Sequence, residues 1–69
     1  MNVLTESLFN YKYPNAFEPT DGKYKNLPKE KFLLFQTKSG LFIAIDNTTG
    51  DCWTEEFKTK QEAIAWLKK

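Results

Sequence analysis

Residues 32–67 constrain this chain most. They read FLLFQT, LFIAID and CWTEEF, three short runs rich in aromatic and β-branched residues, followed by TKQEAIAWLKK. Runs of this length, bounded by Gly, Ser, Asn and Asp, predict strands over 32–37, 41–46 and 52–57. Ser39-Gly40 fits a two-residue hairpin turn. The next connection, DNTTGD over 46–51, fits a type I turn with Gly50 in the left-handed conformation, a bulged hairpin. The expected architecture is therefore an antiparallel three-stranded meander.

Side chains alternate along a strand, so these two turns assign faces. One face is expected to collect Phe32, Leu34, Leu41, Ile43, Ile45, Trp53 and Phe57. The other collects Leu33, Phe35, Phe42, Ala44, Cys52 and Thr54. Glu55 falls on the first face, which suggests a bulge near it.

Thr59-Lys60-Gln61-Glu62 is a capping box and opens a C-terminal helix. Ala63, Ile64 and Leu67 form its apolar stripe, with Trp66 at the border. Lys68 and Lys69 sit at the negative end of its dipole. This helix is expected to cover the first face. The second face is apolar too, and one helix cannot cover both.

Either residues 1–31 cover the second face, with Phe9, Tyr11, Tyr13, Phe17 and Tyr24, or a partner does. Leu4, Leu8 and Tyr11 have helical spacing, while Phe9 to Tyr13 alternates aromatic and polar residues. The expectation is a short helix over 4–9 and an extended run after it. Residues 14–31 hold Pro14, Pro19 and Pro28 and the turn signal Asp21-Gly22. Phe17, Tyr24 and Leu27 are spread through this stretch, so it is expected to wrap over the sheet. The fold class is α+β: a single domain over 1–69, with a wrapping segment (1–31) on a β-β-β-α core (32–69).

At 69 residues, a chain buries only about 60% of the surface its unfolded form exposes. With one cysteine and no histidine, neither an intrachain disulfide nor a zinc site is expected. The aromatic content of 16% suits dense packing. The N-terminus lacks a basic start followed by an apolar run, and no stretch approaches the roughly 20 apolar residues that span a bilayer. A cytoplasmic protein with a reduced thiol and no membrane partner is expected. Asn47-Thr48-Thr49 matches a glycosylation sequon, read here as turn chemistry.

Catalytic patterns are weak. Asp46, Asp51, Glu55 and Glu56 cluster in sequence, but the two aspartates flank a turn, where Asp bonds its own backbone. Cys52 has no histidine to activate it. DNTTGD lacks the ligand spacing and terminal Glu of a calcium loop. The glycines fall in turns, with no phosphate loop. No enzyme activity, cofactor or metal is expected.

The stretch LFIAIDNTTGDCWTEEFKTKQEAIAWLKK resembles the arm-type, AP2-like DNA-binding domain at the N-terminus of phage and transposon integrases. The likeness covers the C-terminal half. It rests on the strand order, the junction Phe57-Lys58-Thr59-Lys60-Gln61-Glu62-Ala63, and Trp66-Leu67 near the helix end. The resemblance implies a three-stranded sheet whose open face enters the major groove with basic and aromatic side chains. Here that face carries Leu33, Phe35, Phe42 and Ala44 instead. The ten basic residues balance nine acidic ones to a net charge of +1, and all ten are lysines, so arginine is absent from base and phosphate contacts.

Two functional expectations follow. The first is a small non-enzymatic interaction module of an accessory or regulatory kind, from a bacterium, prophage or mobile element. It would bind a protein partner or a second copy through Leu33, Phe35 and Phe42, with Tyr24 from the wrapping segment. The alternative is a nucleic-acid-binding module, with Lys23, Lys25, Lys29 and Lys31 on phosphates; the charge balance disfavours it.

Overall fold

The computed structural model describes residues 2–16, 19–20, 23–24 and 27–68. It is a small α+β fold. In chain order the elements are β1 (Leu4–Thr5), α1 (Glu6–Lys12), β2 (Pro19–Thr20), β3 (Lys23–Tyr24), β4 (Phe32–Gln36), β5 (Phe42–Asp46), β6 (Trp53–Phe57) and α2 (Lys60–Leu67). The main sheet runs β1-β4-β5-β6 and is mixed. The meander β4-β5-β6 is antiparallel, as expected. A fourth strand adds to the expected three: Leu4 and Thr5 pair in parallel with Phe35 and Gln36. Two residues are too few to carry a period-2 signal.

The face assignment needs correction for the middle strand. Gln36 pairs with Phe42 and Leu34 with Ala44, one residue out of the expected register. The connection is a three-residue loop. Gly40 donates to the Thr37 carbonyl at 3.0 Å and Thr37 donates to the Leu41 carbonyl at 2.8 Å. Gly40 takes φ +94°, a conformation glycine adopts without steric cost. The Thr37 hydroxyl accepts from the Leu41 N–H at 3.0 Å and bonds the Ser39 hydroxyl at 2.8 Å. This is a type I turn followed by a left-handed residue.

The second connection slips by one residue as well, since Asp46 pairs with Trp53. Gly50 is left-handed, as expected, at φ +84°, but Cys52 also has positive φ, at +49°. The third strand therefore starts at Trp53. The two slips cancel between the outer strands. Phe32, Leu34, Trp53 and Phe57 share a face as expected, while β5 is inverted. Phe42 and Ala44 join that face, and Ile43 and Ile45 turn to the other. Glu55 stays on it, opposite Ala44 in an unbroken register, with no bulge.

Helix α2 packs on the Phe42 face. Ala63 and Leu67 are buried against Leu34 and Ala44, with Val3, Phe42, Phe57, Ile64 and Trp66 around them. Thr59 caps it, accepting from the Glu62 N–H at 3.2 Å. The return arm of the capping box differs from expectation: the Glu62 carboxylate accepts the Thr59 hydroxyl at 3.0 Å. Lys68 is the C-cap residue; Lys69 lies outside the described residues.

Helix α1 covers the opposite face. It starts two residues later than expected because Thr5 caps it, accepting from the Leu8 N–H at 3.0 Å. It also runs through the stretch expected to be extended, ending with Tyr13 donating to the Phe9 carbonyl at 2.9 Å. The aromatic alternation that suggested a strand serves the helix. Phe9 and Tyr13, four residues apart, turn inward with ring centroids 5.2 Å apart, and Tyr11 points out. Phe9 stacks on Phe35 at 4.2 Å and 18°. This second cluster holds Phe9, Ala16, Phe35, Ile45 and Cys52, flanked by Leu4, Tyr13, Leu27, Leu33 and Ile43.

The wrapping segment is partly regular. Pro19 pairs with Tyr24 and Thr20 with Lys23 in a two-stranded antiparallel ladder. Phe17, Asp21, Gly22, Lys25 and the side chains of Lys23 and Tyr24 lie outside the described residues.

Candidate interaction site

The residues expected to contact a partner do not form one open patch. Phe35 is buried under Phe9, and Leu33 is half-buried beside it. Phe42 lies on the opposite face, half-buried against α2. The physical reason is the β5 register: a one-residue slip moves every side chain of a strand across the sheet. Lys29 and Lys31 are exposed on the segment entering β4. Lys25 and the Lys23 side chain lie outside the described residues.

Exposed apolar surface appears instead at the far end of the α2 face. Trp53 is 62% exposed and Phe32 is 40% exposed. Phe32 pairs with Asp46 and Asp46 with Trp53, so the three side chains share one face and one row across β4, β5 and β6. The outer two stand two strand spacings apart, roughly 10 Å at the backbone. The apolar cluster under helix α2 does not include this row. The eight residues of α2 span about 12 Å, and the contacts of the helix lie toward the other end, over Leu34, Phe42, Ala44 and Phe57.

The row is held from below by the β5-β6 connection. Asp46 Oδ1 accepts from the Thr48 N–H at 3.0 Å and the Thr48 hydroxyl at 2.7 Å. Asn47 Nδ2 donates to the Pro28 carbonyl at 2.8 Å, Asn47 Oδ1 accepts from the Cys52 N–H at 3.1 Å, and the Asn47 N–H donates to the Lys31 carbonyl at 2.7 Å. The residues read as a sequon and a generic turn thus fasten the chain entering β4 to the chain entering β6. The sequence signal for this was only an Asn at the start of a turn.

Candidate chemistry is sparse. Cys52 is buried, and burial first, then the charge of Asp51, pushes its thiol pKa up. A thiol so placed is a poor nucleophile. Asp46 and Asp51 serve the turn, with Thr49 donating to Asp51 at 2.8 Å. Among the described residues no group of three or more His, Cys, Asp or Glu side chains could hold a metal ion. No helix among them is long and apolar enough to cross a membrane.

At Tyr13, half-burial first, then the Glu30 carboxylate accepting its hydroxyl, raises the pKa to about 12. The same hydrogen bond is the largest cause of the lowered pKa of Glu30. This pair ties the end of α1 to the segment before β4. No protein family, curated protein or solved structure matches this chain.

Proposed function

We propose that this chain is a small non-enzymatic interaction module that docks a protein partner on the row of Phe32, Asp46 and Trp53. The observation that carries the reading is the exposure of two large aromatic side chains on one sheet face, outside the cluster buried under α2. Exposed Trp is enriched at the energetic centre of protein interfaces. Asp46 between the rings, and Glu55 beside Trp53 on the same face, place carboxylates where a nucleic acid would bring phosphates. That disfavours a base-stacking platform.

The test compares the wild-type chain with a Phe32→Ser/Trp53→Ser variant. A partner captured from lysate of the source cell is purified and titrated by calorimetry against both. Loss of a hot-spot aromatic costs about 2 kcal/mol or more, so the variant should bind roughly thirtyfold or more weakly. Equal affinity of the two chains overturns the reading. So does salt-sensitive binding to single-stranded or duplex DNA in place of a protein.

A further inference from the structure

The outer edge of β6 is a five-residue stretch of sheet edge with no strand beside it among the described residues. Among the described residues β6 has β5 on one side and no strand on the other. Its backbone groups can be assigned from the ladder. Thr37 bonds Leu41 and Lys31 bonds Asn47, so the odd-numbered residues of β5 face β4. Alternation then turns Phe42, Ala44 and Asp46 toward β6, where they meet Phe57, Glu55 and Trp53. The N–H and C=O groups of Thr54 and Glu56 therefore point outward.

Such an edge is a template for another strand unless something blunts it. β6 has no proline, no lysine and no break in register across its five residues. Thr54, Glu55 and Glu56 are all exposed. The edge carries two adjacent carboxylates, Glu55 on the α2 face and Glu56 on the α1 face. They decide the occupant. Full antiparallel overlap of β6 with a second copy sets Glu55 directly against its own counterpart, and like charges directly opposite are destabilising. An extended segment with Lys or Arg at those positions meets opposite charge on both faces. On the α2 face the aliphatic stem and cation of such a residue would also reach the Trp53 indole, two residues from Glu55, where a cation is favoured over the ring.

We infer that β6 accepts an extended, basic segment of a protein partner as a fifth strand, with its Lys or Arg side chains against Glu55, Glu56 and Trp53. The inference rests on the interaction-module reading and names the chemistry of the partner's segment. It adds main-chain hydrogen bonds at Thr54 and Glu56 to the side-chain docking proposed above.

The probe is a short synthetic peptide with two adjacent lysines flanked by valines, so that one lysine falls on each face of an added strand, titrated into the intact chain and followed by amide NMR and hydrogen exchange. Two controls are a peptide with glutamate for lysine and one with proline at alternate positions, which cannot add to a ladder. The expected result is slowed exchange at the Thr54 and Glu56 amides with the lysine peptide alone. A Glu55→Gln/Glu56→Gln variant should bind it about fivefold more weakly, and Glu55→Lys/Glu56→Lys should prefer the glutamate peptide. Unchanged exchange at Thr54 and Glu56 overturns the edge assignment, as does equal binding of all three peptides. Failure here is distinguishable from failure of the broader reading. The edge alone falls if a purified partner still needs Phe32 and Trp53 while the Thr54 and Glu56 amides stay unprotected.

Discussion

Asn47 joins three stretches of chain with one amide and its own backbone. Replacing it with alanine leaves the buried Pro28 carbonyl and the Cys52 N–H without those partners. Unmet buried groups of this kind cost about 1–3 kcal/mol each. Cys52 also holds a positive φ, which a non-glycine residue keeps only when its surroundings enforce it. Asn47→Ala should therefore lower stability by about 2–3 kcal/mol, read as a shift in the urea midpoint; a change no larger than that of a surface substitution would contradict the role. Tyr13 and Glu30 make a second residue-scale prediction. Tyr13 has its pKa raised from 10.0 to about 12, so its contribution is present below pH 10 and is lost as pH rises from 10 to about 12. Glu30 has its pKa lowered from 4.5. Its contribution is present above that value and is lost as pH falls through the lower folded value. Tyr13→Phe should flatten both limbs of the stability-pH curve relative to wild type. Parallel curves would show that the pair does nothing for folding.

At the scale of elements, α1 and α2 each cover one face of the sheet, and α1 does so chiefly through Phe9. Truncating a buried Phe to Ala typically costs about 3–5 kcal/mol. Phe9→Ala should uncover Phe35, Ile45 and Leu33, detected as dye binding to exposed apolar surface together with a lowered melting temperature. A fully native melting curve would mean the α1 contact contributes little. The meander and α2 were legible in the sequence because each carries a redundant signal: five-residue strands between turn residues, and a Thr-x-x-Glu cap before an apolar stripe. The register was not legible. KSG and SG both satisfy hairpin rules at Gly40, and only the Thr37 hydroxyl, bonded to Leu41 and Ser39, decides for the longer loop. An equal slip at Cys52 compensates the first, so β4 and β6 keep their expected face while β5 is inverted. The candidate site suffered directly. Alternation from a two-residue turn places Phe42 with Leu33 and Phe35, and it puts Trp53 on the helix face, where α2 is expected to cover it. Alternation along a strand does not say how far along it an eight-residue helix extends.

The whole molecule is a slab with extents of 35 × 26 × 16 Å, its sheet dividing two small apolar clusters. The largest fully buried side chains, Leu34 and Ile45, belong to opposite clusters. Neither half can lose its cover without exposing a strand that the other half also uses. For 69 residues the expected stability is roughly 3–10 kcal/mol, so each core residue matters. Phe32 and Trp53 contribute less than the core residues. Both are large and apolar, yet neither belongs to the two buried clusters, and the part of each ring left in water does not stabilise the fold. Phe32→Ser/Trp53→Ser should cost less per site than truncating a fully buried Phe, about 3–5 kcal/mol, with the amide spectrum of α1 and α2 unchanged. The two tryptophans allow an optical check. Trp66 is half-buried and packs on Phe57 at 6.0 Å, so the variant should lose the red-shifted, readily quenched part of the emission and keep the blue part. A loss of about 3–5 kcal/mol at each site would mean that the row is part of the core after all, and that its aromatics serve folding before they serve any partner.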